Sequence, residues 1–306
     1  MRASTSLWPL VQSGLLGVIL ATSVGCASGP NQDTLVDELR VLATLATTPE
    51  AQPGERVGLQ TLVVDPEQRG FDLLLWSCTF AGEQCVESLI GEGEPWAGAI
   101  VAEGNGETSG LFTSELDVNR QLEAFVGDEP LPILQTWALA CEPGLCPAIE
   151  LARAAPAPGT DEAKRLVKLL SEPFVMLEDL PLTGVSLGLR SLSVSTRAPA
   201  DRAQNPTLSL TGPGGAALPA EVAPEGEVDV LLTFDGARDD DRAVWLYTDA
   251  GGFLDASVGA PDADDVARST YFAPAKPKEQ VNLWFIGVDG LGGVAMLSHQ
   301  LAVTGG

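Results

Sequence analysis

The stretch "QVNLWFIGVDGLGGVAMLSHQLAVT" (280–304) decides the fold class of the C-terminal part of the chain. Two apolar runs flank a turn sequence, DGLGG (289–293), with Ile286 and Val288 before it and Val294 and Met296 after it. Glycine adopts the positive φ angles that hairpin loops require. The stretch therefore predicts two antiparallel strands joined by a tight turn.

Runs of the same kind recur along the chain and are separated by turn residues. They include "RVGLQTLVVDP" (56–66), "FDLLLWSC" (71–78), "LPILQTWALAC" (131–141), "VSLGLRSLSVST" (185–196), "VDVLLTF" (228–234) and "AVWLYTDAGG" (243–252). In the first of these, Val57, Leu59, Thr61 and Val63 alternate onto one face. Short strands at this spacing are typical of β-sandwiches. The sequence predicts an all-β protein with two Ig-like β-sandwich domains in tandem.

One segment breaks the strand pattern. "TDEAKRLVKLLSEP" (160–173) has Asp161 and Glu162 early, Lys168 late and Pro173 as a stop. This order of charges complements the helix dipole, and Thr160 suits an N-cap. We expect a short helix at about 160–172, inserted in the first domain.

The N-terminal stretch "GLLGVILATSVGCASGP" (14–30) has an apolar run that is too short to span a membrane. It resembles the lipobox of bacterial lipoproteins, in which a cysteine, here Cys26, becomes the lipidated N-terminus. Ser23 departs from the usual Leu, while Ala27 after the cysteine implies the outer membrane. A freely secreted protein is the alternative, and an uncleaved N-terminal anchor is a further one.

The predicted organisation follows from these patterns. Residues 1–25 form the lipoprotein signal peptide and 26–36 a flexible tether of small and polar residues. The first Ig-like domain spans 37–197, a linker spans 198–206, and the second Ig-like domain spans 207–306.

Four further cysteines, Cys78, Cys85, Cys141 and Cys146, indicate disulfides in an exported chain. Local pairing, Cys78 with Cys85 and Cys141 with Cys146, is favoured because both loops contain glycine. Cross-pairing of Cys78 with Cys141 and Cys85 with Cys146 is the alternative. A four-cysteine zinc site would need closer spacing in each pair.

The chain carries a formal net charge of −25. Nucleic acid is excluded as a partner, because phosphate binding needs clustered Lys and Arg. Any membrane attachment must then come from the lipid anchor, and an envelope protein or polysaccharide is the expected partner.

Candidate functional side chains are few. His299, the single histidine, is expected to face solvent, outside any catalytic site. Trp76, Trp137, Trp245 and Trp284 lie within apolar strands and are expected to be buried, whereas Trp96 follows Pro95 in a Gly/Glu loop and is a candidate ligand contact.

Two acidic loops are weak calcium candidates, because calcium prefers clustered oxygen ligands. The residues are Asp239, Asp240, Asp241, Asp262, Asp264 and Asp265. Neither loop matches an EF-hand pattern, so a solvated acidic loop is the simpler interpretation and no cofactor is expected.

Several segments together suggest a family. "TPEAQPGERVGLQTLVVDP" with the later Trp76 and Cys78, "ACEPGLCP", "NPTLSLTG" and the closing hairpin resemble lipoproteins with Ig-like domains from δ-proteobacteria such as myxobacteria. The resemblance implies the fold but no activity, since Ig-like sandwiches serve many functions.

The sequence therefore predicts a non-enzymatic, outer-membrane-anchored lipoprotein that acts as a binding or structural module of the envelope. A carboxylate-dependent surface hydrolase and a calcium-stabilised adhesion module are the alternatives.

Overall fold

The computed structural model describes residues 31–79, 100–104, 109–118, 122–123, 126–157, 159–171, 180, 183–235, 242–258, 266–289 and 292–305. Strands dominate this part of the chain, which confirms the predicted all-β fold. In chain order they are β1 (Arg40–Ala46), β2 (Glu50–Ala51), β3 (Arg56–Val64), β4 (Phe71–Thr79), β5 (Ile100–Gly104), β6 (Ser109–Asp117), β7 (Leu131–Cys141), β8 (Val185–Val194), β9 (Thr207–Thr211), β10 (Glu221–Val222), β11 (Glu227–Asp235), β12 (Ala243–Thr248), β13 (Gly252–Phe253), β14 (Ser257–Val258), β15 (Val266–Phe272), β16 (Lys278–Val288) and β17 (Val294–Val303). The helices are α1 (Pro147–Arg153) and α2 (Asp161–Ser171).

Strands β1 to β8 form the N-terminal sandwich. One sheet has the order β1-β3-β6 and the other the order β2-β8-β7-β4-β5. The predicted face of β3 is confirmed, since Val57, Leu59, Thr61 and Val63 are all buried between the two sheets. The alternation works because successive side chains of a strand point to opposite faces.

Strands β9 to β17 form the C-terminal sandwich. Its sheets have the orders β10-β17-β16-β12-β14 and β13-β15-β11-β9, and apolar side chains from both sheets fill the core between them. The closing hairpin is confirmed: β16 pairs with β17 up to Val288 opposite Val294, and Gly292 has a φ of 94° in the turn. The Ig-like identity of the two sandwiches stays a prediction.

Both helices cover the outer face of the larger N-terminal sheet. Leu166 and Leu170 of α2 and Ile149 of α1 pack against Trp76 and Leu139 of that sheet. The Thr160 hydroxyl accepts a hydrogen bond from the Ala163 amide at 3.2 Å, which confirms the predicted cap. The sequence analysis missed α1, which begins with a proline at its first position directly after Cys146.

Among the described residues, neither helix has the length and apolar character needed to cross a bilayer.

Candidate functional site

Outside the sandwich cores, an apolar joint connects the two sandwiches. Its buried side chains are Val36, Leu62, Val64, Trp284, Ile286 and Val294. Leu62 and Val64 lie on the face of β3 opposite the N-terminal core, and Trp284 and Ile286 lie on the outer face of β16. The joint therefore buries a second apolar face of each of these strands.

An N-terminal strap, residues 31–36, closes one end of the joint. The Asn31 amide donates to the Phe253 carbonyl at 2.7 Å, and the Val36 amide donates to the Thr248 carbonyl at 2.8 Å. The Phe253 amide in turn donates to the Thr34 hydroxyl at 3.0 Å. Thr34 and Val36 are fully buried.

Residues 31–36 of the flexible tether predicted over 26–36 instead form this strap, and residues 26–30 lie outside the described residues. The strap's composition suggested a tether because Asn31, Asp33 and Thr34 are polar. In the structure the Asn31 and Thr34 side chains instead satisfy backbone groups of the strap and of the C-terminal sandwich, and Val36 enters the joint. The strap thus belongs structurally to the C-terminal sandwich although it precedes β1.

The connection between the sandwiches, residues 195–206, closes the other end of the joint around Glu50. The Glu50 carboxylate is fully buried and accepts hydrogen bonds from the Ser195 hydroxyl, from Arg197 Nη1 at 3.2 Å and from the Ala203 amide at 2.9 Å. A buried charge is tolerated only when it is paired and hydrogen-bonded, and here one carboxylate organises three positions of the connection.

Two further side chains fix the same connection. Arg202 Nη1 donates to Glu55 Oε2 at 2.5 Å, and its side chain is only 5% exposed. Asn205 bridges the two sandwiches, since its Nδ2 donates to the Ala46 carbonyl at 2.7 Å and its Oδ1 accepts from the Val294 amide at 3.2 Å. The chain therefore crosses the joint twice, at opposite ends, and both crossings are hydrogen-bonded.

The electrostatics of the joint centre on Arg190 of β8. Its guanidinium lies close to the β16–β17 turn. A Cβ atom placed on Gly292 in that turn would be 3.8 Å from Arg190 Nη2. Burial lowers the pKa of Arg190 to about 10, partly offset by the negative charge of Asp289 in that turn. Arg190 stays cationic at neutral pH, and it places a positive charge against the end of the C-terminal sandwich that carries Asp289.

Burial also shifts a pKa at the end of the joint that the strap closes. The pKa of Tyr247 is raised by burial, and the positive charge of Arg40 at the start of β1 partly offsets this rise. Tyr247 is a neighbour of Trp284 across the β12–β16 pair. The N-terminal sandwich thus covers the aromatic surface at this end of the sheet.

Trp245 lies beyond the covered area, and its predicted burial was wrong. It is 42% exposed, although its neighbour across the sheet, Ile286, is buried in the joint. Val244 and Leu246 take the core face of β12, so Trp245 points to the outer face. Trp76, Trp137 and Trp284 are buried as predicted, the last of them in the joint.

His299 does not face solvent as predicted. It pairs with the buried Leu283 across the β16–β17 ladder and shares its strand face with Leu297 and Leu301, which pack in the C-terminal core. Its Nε2 atom is buried and has no hydrogen-bond partner within the described structure. The sequence argument failed because residues two apart in a strand lie on the same face.

The cysteine predictions have a partial outcome. The Cys141–Cys146 disulfide is confirmed, with 6.1 Å between the Cα atoms, and it joins the end of β7 to the start of α1. Cys78 lies in β4, but its side chain and Cys85 are outside the description, so their pairing stays a prediction.

Several predicted site residues lie outside the described residues. They are Cys26, Trp96, Asp239, Asp240, Asp241, Asp262, Asp264 and Asp265. Within the described ranges, no group of three or more His, Cys, Asp or Glu side chains is placed to hold a metal ion.

The strand ends that flank both acidic segments are described, and they meet at one end of the C-terminal sandwich. Ala243 pairs with Val288, and Val244 pairs with Val258. Arg242 is buried at this end, with its guanidinium carbon 5.8 Å from the centre of the Phe234 ring. This acidic end is the end that Arg190 approaches.

The sequence analysis missed the joint, Glu50 and the exposed Trp245. A signal for the joint was present, because Leu62, Val63 and Val64 form a continuous apolar run, which indicates a strand buried on both faces. Nothing in the sequence distinguishes Glu50 from the other acidic residues.

Comparisons with known proteins complete the description. No protein-family model and no curated protein matches the chain. Among solved structures, the chain is similar to a conjugative transposon lipoprotein from Bacteroides eggerthii, with 12% sequence identity and a TM-score of 0.23 over 31% of this chain and 95% of that one. Similarity at this level supports no conclusion about fold or function. The resemblance to δ-proteobacterial lipoproteins stays a prediction.

Proposed function

We propose that the chain is a non-enzymatic lipoprotein of the outer membrane, anchored through Cys26, whose two Ig-like sandwiches act together as one binding or structural module of the envelope. The observation that carries the proposal is the strap. Cys26 precedes Asn31 by five residues, and Asn31 is already hydrogen-bonded to the C-terminal sandwich. An anchor at Cys26 would hold both sandwiches close to the membrane.

The double crossing of the joint supports a rigid module. Domains connected by a single linker move relative to one another unless their interface is large and apolar. Here the apolar joint is closed at one end by the strap and at the other by Glu50 and Asn205. A rigid body presents a surface at a fixed height and orientation, which suits a scaffold or a receptor for an envelope component.

Trp245 is the best candidate for contact with a partner. Tryptophan combines a large apolar face with a hydrogen-bond donor, and it is enriched at binding surfaces. Its 42% exposure beside the buried joint gives an envelope protein or polysaccharide an aromatic surface on a fixed strand.

The test replaces Cys26 by alanine in the native cell. We expect the wild-type protein in the outer-membrane fraction, with an intact mass that corresponds to residues 26–306 plus acyl chains. Cys26→Ala should leave the membrane fraction, because it cannot be acylated at this position, and even a single acyl chain gives only marginal membrane binding. An unacylated wild-type protein in the soluble fraction would refute the anchor.

A calcium-stabilised adhesion module is the second candidate. It is favoured by the strand ends that flank the two acidic segments, which meet at one end of the C-terminal sandwich. Calcium should then raise the melting temperature, by an amount equivalent to about 2.7 kcal/mol at 100 times the Kd. Asp240→Asn combined with Asp264→Asn should abolish the rise, and a melting temperature insensitive to calcium would eliminate this candidate.

A further inference from the structure

The strap fixes the place where the chain leaves the described structure toward its N-terminus. Asn31 is bridged to Phe253 of β13, an edge strand of its sheet. Asn31 is the fifth residue after Cys26, so five Cα-to-Cα steps join them. A fully extended chain of that length reaches about 17 Å at most. An acyl group on Cys26 would therefore hold Phe253 within about this distance of the lipid headgroups.

The surface beside this exit point carries an exposed apolar side chain. Leu254 follows Phe253 directly and is 46% exposed. Its amide donates to the Thr270 carbonyl at 2.9 Å, so the backbone that presents the side chain is fixed to β15. Leu254 is one of five large apolar side chains exposed in the described residues, and it lies next to the residue that receives the strap.

The charges at this end are mixed. The Asp249 side chain is buried and paired with Lys278 at 3.3 Å. Lys276 is exposed, as are Asp255 and Glu225. Asp33, Glu227 and Glu279 are exposed at this end as well, so its exposed charges are mostly negative and charge does not select it.

The opposite end of the same sandwich is acidic. It carries Asp235, Asp289 and the strand ends that lead into both acidic segments. The six residues of β12 separate the two ends by about 20 Å. This separation exceeds the longest reach of the tether, about 17 Å, so the acidic end lies farther from an anchored Cys26 than Phe253 does.

We propose that the end of the C-terminal sandwich that carries Phe253 and Leu254 rests on the lipid surface, with the Leu254 side chain at the membrane interface. The inference rests on the anchor at Cys26 proposed above. The short tether selects this end, and the double crossing of the joint transmits the orientation to the N-terminal sandwich. The β16–β17 turn then points away from the membrane.

The test measures depth in the membrane at two matched positions. The full-length acylated protein is reconstituted in vesicles of phosphatidylethanolamine and phosphatidylglycerol, with a nitrobenzoxadiazole label on Leu254→Cys or on Leu189→Cys. Leu189 is a suitable control because it is 51% exposed and directly precedes Arg190, far from the strap. Lipids with a spin label near the headgroup quench a fluorophore at the interface.

We expect quenching at position 254 to be at least twofold stronger than at position 189. A flexible insertion of 20 Gly/Ser residues between Cys26 and Asn31 should reduce this ratio towards one, because such a chain extends over roughly 25 Å. Equal quenching at both positions in a protein whose mass shows acyl chains would overturn the orientation alone. A mass without acyl chains would overturn the anchor and the orientation together.

Discussion

Removing the Glu50 carboxylate tests the structural role of the connection between the sandwiches, residues 195–206. Its Oε2 atom accepts from Arg197 Nη1 at 3.2 Å and from the Ala203 amide at 2.9 Å, while Oε1 accepts from the Ser195 hydroxyl. In Glu50→Gln the amide oxygen can occupy the Oε2 position, and the amide NH₂ can donate to the Ser195 oxygen. Glu50→Gln therefore keeps the geometry and loses the charge.

The magnitude follows from the two bonds to Oε2. A hydrogen bond to a charged group stabilises by about 1 kcal/mol more than a neutral one. Arg197 is 34% exposed, so solvent screens its share, and Glu50→Gln should cost about 1–2 kcal/mol of unfolding free energy. Glu50→Ala leaves the three donors without their acceptor inside the protein, and it should cost about 3–5 kcal/mol.

The assay is urea unfolding followed by tryptophan fluorescence and circular dichroism. The control is Glu115, whose ion pair with Arg56 is exposed on both sides, so Glu115→Gln and Glu115→Ala should leave the unfolding free energy unchanged. Trypsin should cleave after Arg202 faster in Glu50→Ala than in wild type, because that side chain is buried only while the linker is held. Equal unfolding free energies for Glu50→Ala and Glu115→Ala would refute the reasoning.

Two further substitutions address the joint and the disulfide. Trp284→Ala should destabilise the protein by about 3–5 kcal/mol in urea unfolding, while Trp245→Ala, on the same face of the sheet but exposed, should change little; similar losses for both would place Trp245 in an interface. Cys141→Ala should cost about 2 kcal/mol from the lost closure of a short loop. In reductant the unfolding free energies of Cys141→Ala and wild type should be equal. A difference that persists in reductant would mean that the loss comes from packing of the Cys141 side chain.

The strand positions could be predicted from the sequence because period-two alternation reports one buried face directly. Val57 to Val63 and the closing hairpin follow that rule. The rule was misapplied to His299 and Trp245. Applied correctly, it places His299 on the same face as Leu297 and Leu301, and Trp245 on the outer face of β12. Val244 and Leu246 already assign the core face of β12, so Trp245 had to point outward.

The joint could not be fully derived from the sequence. The apolar run at Leu62–Val64 indicates a second buried face, but it does not identify the partner surface. Glu50 and Thr34 read as surface residues, because most acidic and hydroxyl side chains are exposed. Their burial depends on hydrogen-bond partners that are distant in the chain, such as Ala203 and Phe253.

The strap has a consequence for the order of events during synthesis. The Phe253 amide and the Thr34 hydroxyl are 219 residues apart in the chain. Since the chain is made from its N-terminus, the strap has no docking partner until the C-terminal sandwich has emerged and folded. Residues 31–36, among the first to be made, are therefore among the last to reach their final contacts, and their backbone gains protection from proteases only when the whole fold is complete.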